Sequence, residues 1–479
     1  MARRGLFAVI GASAIALAAS PLAADAAQFD GAAFDGSLLG LAWGLPFAGM
    51  LLSIALFPIL APRVWHRHFG KIAAAWALLF VVPFALRFGT KETTYQLAHA
   101  ALLEYLPFII LLLALYTVAG GICVLGNLHG SPALNTGVLA AGTLLANVMG
   151  TTGAAMVLIR PLIRANDRRK HTVHIFIFFI FLVANAGGAL TPLGDPPLFL
   201  GFLKGVSFFW TTDAMLLPMV TLCGALLALF YLLDAHFYAR GDEQRPSAQD
   251  PSPDTRVRLI GKANIVLLVA IVAAVLMSGL WKPGIAYAVL GSQVELQNLV
   301  RDVLLVAIAL VSLWITPADA HAGNDFNWGP IQEVAKLFAA IFVTIIPVIA
   351  ILRAGQGGAL APLVQLVTSP AGEPINPMYF WLTGILSAFL DNAPTYLIFF
   401  NLAGGDPVYL MAHREALAAI SAGAVFMGAL SYIGNAPNFM VKAIAEDRGI
   451  AMPSFFGYMA WSCTILLPLF VVLTFLFFR

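Results

Sequence analysis

Charge is scarce in this sequence. Only 10% of its 479 residues are Asp, Glu, Lys or Arg, against roughly a quarter in an average soluble chain. Twenty-six basic and 24 acidic residues leave a net charge of +2, so no polyanion partner is indicated. Cysteine is nearly absent: Cys123, Cys223 and Cys463 all lie in apolar runs and match neither a disulfide framework nor a metal spacing. Hydrophobic residues make up 60% of the chain and its mean hydropathy is +0.88. A water-soluble fold of this size could not hide so much apolar surface. Soluble enzymes, disordered chains and nucleic-acid binders are therefore excluded, and lipid must replace water around most of the surface.

The amino terminus has the order of a secretory signal. Arg3 and Arg4 precede an apolar run from Leu6 to Ala19, and the small-residue stretch Ala23–Ala27 follows. A signal peptide over residues 1–27 is expected. Beyond it, windows long enough to cross a bilayer fall near 37–60, 70–88, 101–123, 172–204, 213–236, 263–281, 299–316, 331–352, 412–441 and 455–478. Two more apolar stretches, 134–163 and 375–404, have polar centres marked by Gly or Pro. These are expected to be re-entrant hairpins, since irregular backbone at membrane depth survives only where protein or a water cavity shields it. With the mature start outside, the inside loops carry 15 Lys and Arg and the outside segments carry 8, as the positive-inside rule requires. The polar stretch around Gly241–Arg258 reads as a cytoplasmic linker, 237–262, between a first half (28–236) and a second (263–479).

An internal repeat is the strongest signal. Gly188-Ala-Leu-Thr-Pro-Leu-Gly-Asp-Pro-Pro197 aligns with Gly428-Ala-Leu-Ser-Tyr-Ile-Gly-Asn-Ala-Pro437 at an offset of 240. The same offset places Thr151–Ala155 on Asp391–Thr395 and superposes the two hairpins. Each half then has five crossings, an odd number, so the second half is inverted. Inverted repeats around broken helices are the signature of secondary transporters. The expected fold is an all-α polytopic membrane protein of two inverted five-span halves, each with a re-entrant hairpin and a broken helix.

Chemistry concentrates at these breaks. Gly188, Gly194, Pro196 and Pro197 in one half, and Gly434 and Pro437 in the other, cannot continue a helix. Gly150 and Pro394 mark the hairpin tips. The polar groups there are Thr151, Thr152, Thr191 and Asp195 from the first half, and Asp391, Asn392, Thr395, Ser431 and Asn435 from the second. No Lys, Arg or His occurs in these four segments. Two intramembrane carboxylates without a counter-ion must take a proton or hold a cation. Sodium/proton antiport is the first expectation, and an organic-anion symporter of the citrate type is the alternative. No nucleophile–base pair, resident metal or cofactor is indicated, and an enzyme is not expected. Glu104 is read as a residue snorkelling to the outer face, Glu333 and Lys336 as a surface pair, and Asn185 as a helix–helix contact. His66, His68, His171 and His174 are expected at headgroups. Trp65, Trp210, Trp281 and Trp381 are expected in the interfacial belt.

These residues resemble the ion transporter superfamily, which includes NhaD-type sodium/proton antiporters, arsenite carriers, citrate carriers and divalent-anion/sodium symporters. Asp391-Asn392-Ala393-Pro394-Thr395 is similar to the acidic DN-x-P-T motif of the NhaD-like branch. Gly194-Asp195-Pro196-Pro197 and Gly434-Asn435-Ala436-Pro437 are similar to its G-[DN]-x-P turns. The first tip, Gly150-Thr151-Thr152-Gly153, departs from the Ser-Asn-Thr tips of the dicarboxylate branch. The resemblance implies a homodimer in a bacterial inner membrane, with an elevator-like movement of the hairpin-bearing part.

Overall fold

The computed structural model describes residues 34–127, 129–240 and 255–479. The expected signal peptide and most of the polar linker lie outside the described residues. The chain is an all-α polytopic membrane protein; among the described residues eight helices, residues 132–165 included, are long and apolar enough by length and composition to cross a membrane.

In the first half, α1 (Leu45–Leu60) packs on α2 (Pro62–Phe88). Then α3 (Thr90–Ala100) runs through a π-helical turn, Ala101–Tyr105, into α4 (Leu106–Gly120). Helix α5 (Pro132–Ala165) is followed by the short α6 (Val173–Leu182), an irregular stretch, α7 (Pro196–Leu203) and α8 (Phe208–Ala239). The second half repeats the order. It runs through α9 (Ala263–Leu280), α10 (Leu296–Ile315), α11 (Gly329–Thr344) and α12 (Ile346–Arg353), the last two bent by 41°. It ends with α13 (Asn376–Phe389), α14 (Asn392–Leu402), α15 (Arg414–Met427), α16 (Ala436–Asp447) and α17 (Phe455–Phe477).

Helix α5 is a hairpin. Thirty-four residues in a straight helix would reach about 51 Å. Instead the two ends meet: Gly130 N–H donates to the Ala165 carbonyl at 2.5 Å, and the Asn135 and Asn166 amides exchange hydrogen bonds of 2.9 Å. The reversal is at Gly150, whose φ of 77° and ψ of 156° suit glycine alone. Exactly 240 residues on, the second hairpin turns at Leu390, between α13 and α14.

The broken helices match in detail as well. Asp195 and Asn435 both precede a new helix in extended conformation (φ −138° and −148°). The Thr191 hydroxyl donates to Asn147 O and the Ser431 hydroxyl to Ala388 O, both at 2.5 Å, and each hydroxyl accepts an amide two residues on at 3.2 Å. The backbone groups freed by each break are thus satisfied inside the protein, which the absence of water demands. Packing is crossed: α7 lies on α14, and α16 lies on the first hairpin. Helix α6 is apolar apart from His174 and is buried from His174 to Leu182, as a helix apolar on every face must be.

The loops expected on the inside gather at one pole. Asp325 pairs with Arg160 at 3.2 Å and Arg448 at 3.5 Å, Arg164 donates to Val124 O, and Asn264 to Gly121 O. The segments expected outside gather at the other, where Arg414 pairs with Asp213 at 2.6 Å, Lys204 with Glu104, and Arg353 donates to Asn401. We call these the inner and outer poles. The end of the expected linker is ordered: β2 (Thr255–Ile260) pairs antiparallel with β1 (Cys123–Asn127). His174 is buried against Asp234 at 2.7 Å, alongside Arg169, rather than at headgroups. Trp65 is also buried, not in an interfacial belt.

A Cβ on Gly194 would lie 2.2 Å from the Gly188 carbonyl oxygen, whereas one on Gly137 meets nothing within 4 Å. Gly194→Ala should therefore cost on the order of 3 kcal/mol and lower the melting temperature of the detergent-purified protein. Gly137→Ala should leave it unchanged or slightly raised.

Candidate functional site

The two hairpin tips and two breaks converge on Asp195. Its carboxylate is sealed from solvent. Although it is the residue at which α7 starts, its side chain makes no capping bond to that helix. It accepts hydrogen bonds from the Thr151 hydroxyl (3.1 Å), the Asn392 amide (2.8 Å) and the Asn435 amide (3.3 Å). One donor belongs to its own half and two to the other. Asn435 also reaches the Asn185 oxygen at 3.3 Å, and Asn185 donates to Asn438 at 2.7 Å. The Ser387 hydroxyl fixes Asn392 by donating to its oxygen at 2.7 Å, which turns the amide N–H₂ to Asp195. All donors are neutral, so the negative charge is solvated but not cancelled.

Asp391 has a different post. It caps α14, accepting the Ala393 amide at 3.1 Å. It also lines a cavity of about 470 Å³ with Asn435, Tyr432, Glu333, Trp65 and His66, toward the inner pole. A second cavity of about 100 Å³ is lined by Asp195, Thr151, Thr152, Phe108 and Phe199. The two share Pro330, Val334, Ala436 and Met440 as walls. Neither lining includes a Lys or Arg.

Several expected ligands have other work. The Thr191 and Ser431 hydroxyls clasp backbone carbonyls and hold the breaks shut. Thr395 is wholly buried in α14, with its hydroxyl unpartnered. Thr152 is half-buried on the cavity wall. Gly188, Gly194, Gly434, Pro196, Pro197, Pro394 and Pro437 act through the backbone, at the breaks and at the helix starts. Glu333 and Lys336 are not a surface pair. Glu333 faces the inner cavity, while the Lys336 ammonium sits 5.3 Å above the Phe69 ring. Glu104 does not snorkel to the outer face but is buried and bonded to Lys204. Asn185 is a member of the site network as well as a helix–helix contact. Ser387 was unmarked, yet it is the repeat counterpart of Asn147, the offset that could have found it.

Residues 36–478 match the family CitMHS_2, whose description reads "Putative citrate transport". The chain belongs to this family. It is accordingly a secondary transporter, and an integral membrane protein rather than a peripheral one. No curated protein matches it. Within the family match lie both hairpins, both breaks and every residue that touches Asp195.

Hydrogen bonds to a charged group are worth about 1.5–3 kcal/mol. Asn392→Leu should therefore destabilise the protein by roughly 2 kcal/mol. Adding Asp195→Asn should recover part of the loss, because the stranded charge is gone. Melting temperatures of the two single variants and the double variant measure the coupling. An Asn392→Leu protein that melts like the wild type would contradict it.

Proposed function

We propose that the protein exchanges sodium ions for protons, with Asp195 and Asp391 as the carboxylates that hold one or the other. The observation that carries this reading is the charge of the route. The inner cavity presents Asp391 and Glu333, Asn435 joins it to Asp195, and no Lys or Arg lines either cavity. A buried carboxylate surrounded by hydroxyl and amide groups suits a hard monovalent cation or a proton. Similarity of Asp391–Thr395 to the NhaD-like motif supports the same choice. In this reading the second half is inverted, the inner pole faces the cytoplasm, and the hairpin-bearing part moves against the remaining spans to change access.

The family description favours a second reading, transport of a citrate-class anion. Such an anion would meet the carboxylates of Asp195, Asp391 and Glu333, and would need them protonated or paired with sodium.

Vesicles reconstituted with the protein and loaded with a pH dye separate the two. Sodium or lithium added alone should raise the internal pH of acid-loaded vesicles, and citrate alone should not. A response that requires citrate overturns the exchange reading. Asp195→Asn and Asp391→Asn should each lower sodium-driven proton flux by roughly a hundredfold, since an amide neither binds a proton nor neutralises a cation.

A further inference from the structure

A third cavity, of about 180 Å³, lies at the outer pole. Lys204, Arg353, His99 and Glu104 line it beside an apolar wall that includes Phe342 and Ile349. It belongs to none of the repeat motifs, and its charge is the reverse of the other two. Those present carboxylates and no Lys or Arg, whereas here three basic side chains face one acid. We propose that this cavity binds a phosphate group, gripped between Arg353 and Lys204, supplied either by a phospholipid headgroup or by free phosphate. The inference goes beyond the exchange reading and does not depend on it.

The charges leave one cation over. Glu104 is bonded to Lys204, and that pair is neutral. Arg353, the last residue of α12, donates its Nε–H to the Asn401 oxygen at 2.9 Å, a neutral partner on α14. Among the described residues no carboxylate pairs with it, and its two terminal amino groups make no hydrogen bond. The Asn401 bond thus fixes the guanidinium and leaves its outer N–H groups for a ligand, in the spacing that suits two oxygens of a phosphate. The Lys204 ammonium has three N–H groups, of which the Glu104 bond uses one. His99, half-buried on α3, adds a third basic group.

The placement of these groups favours a tetrahedral ligand. Lys204 comes from the end of α7, Arg353 from the end of α12 and His99 from α3. Groups on three separate helices surround a ligand and can each take a different oxygen, whereas a planar carboxylate is satisfied by one guanidinium. The volume far exceeds the roughly 15 Å³ that a single water needs. The apolar wall matches the hydrocarbon next to a headgroup, and basic pockets between transmembrane helices are where lipid phosphates are held.

The test is binding to the detergent-purified full chain, read as the rise in melting temperature with ligand concentration. Inorganic phosphate is compared with chloride at equal ionic strength, and phosphatidylglycerol with diacylglycerol. A rise with phosphate assigns the site to the free ion, and a rise with phosphatidylglycerol alone assigns it to the headgroup. No rise with either overturns the proposal. Arg353→Gln should weaken the binding roughly tenfold. Glu104→Gln should tighten it roughly threefold, because Lys204 is then no longer neutralised. Asp195→Asn, at the central site, should leave it unchanged. Salt acting on the whole surface would give the same rise in every variant, and a merely structural role would move Arg353→Gln and Glu104→Gln in the same direction; either result overturns the proposal. If Arg353→Gln fails to insert, unchanged or weaker binding in Glu104→Gln overturns it alone. The readout involves no transport, so a failure of sodium/proton exchange leaves this inference standing, and a failure here leaves the exchange reading standing.

Discussion

A carboxylate sealed inside a membrane protein dictates what surrounds it, and Asp195 is that carboxylate. It is satisfied by one hydroxyl and two amides, two of the three donors coming from the other half of the chain. To bring those donors within reach, both hairpins must turn at the same depth and both broken helices must open beside them. The Gly150 reversal, the Thr191 and Ser431 clasps and the crossed packing of α7 on α14 all serve that arrangement. The donors are neutral, so hydrogen bonds hold the charge without cancelling it, and on the exchange reading it stays available to an ion. Arg or Lys in place of any donor would cancel it.

The sequence carried most of this because the repeat carried it. An offset of 240 paired Asp195 with Asn435 and the first hairpin tip with the second, and in the structure these positions touch or mirror one another. Spans were legible because twenty apolar residues in a row have one use. What could not be read was partner choice for charges far apart along the chain. Glu104 and Lys204 are one hundred residues apart, and the neighbours of Glu104 in the chain suggest only a residue reaching for the outer face. Glu333 and Lys336, three apart on a helix, looked like a pair. Packing gave Lys336 an aromatic ring instead and left Glu333 to a cavity. His174 looked interfacial among basic neighbours, yet its partner Asp234 lies sixty residues on. The strand pairing of β1 with β2 was hidden for the same reason: its two members lie far apart in the chain.

The repeat is also broken where chemistry needs it to be. Position 195 is acidic and its counterpart 435 is an amide; position 391 is acidic and its counterpart 151 is a hydroxyl. Each related pair therefore holds one carboxylate and one neutral partner. Two acids at one pair of equivalent positions would face each other across the pseudo-axis and repel. The two acids accordingly hold two posts, one sealed and one facing a cavity.

That separation sets an order of events on the exchange reading. Asp391 and Glu333 both face the 470 Å³ inner cavity, so an ion from that side meets them before Asp195. Asn435 lines the same cavity and also donates to Asp195. It is the physical step between the two acids. An amide can make that step because it offers an oxygen to a cation and an N–H₂ to a carboxylate. A second acid at 435 would trap the ion between three carboxylates, and an apolar residue would leave Asp195 walled off. The Asp-to-Asn difference between the two repeats is thus what lets one buried charge be both held and reached.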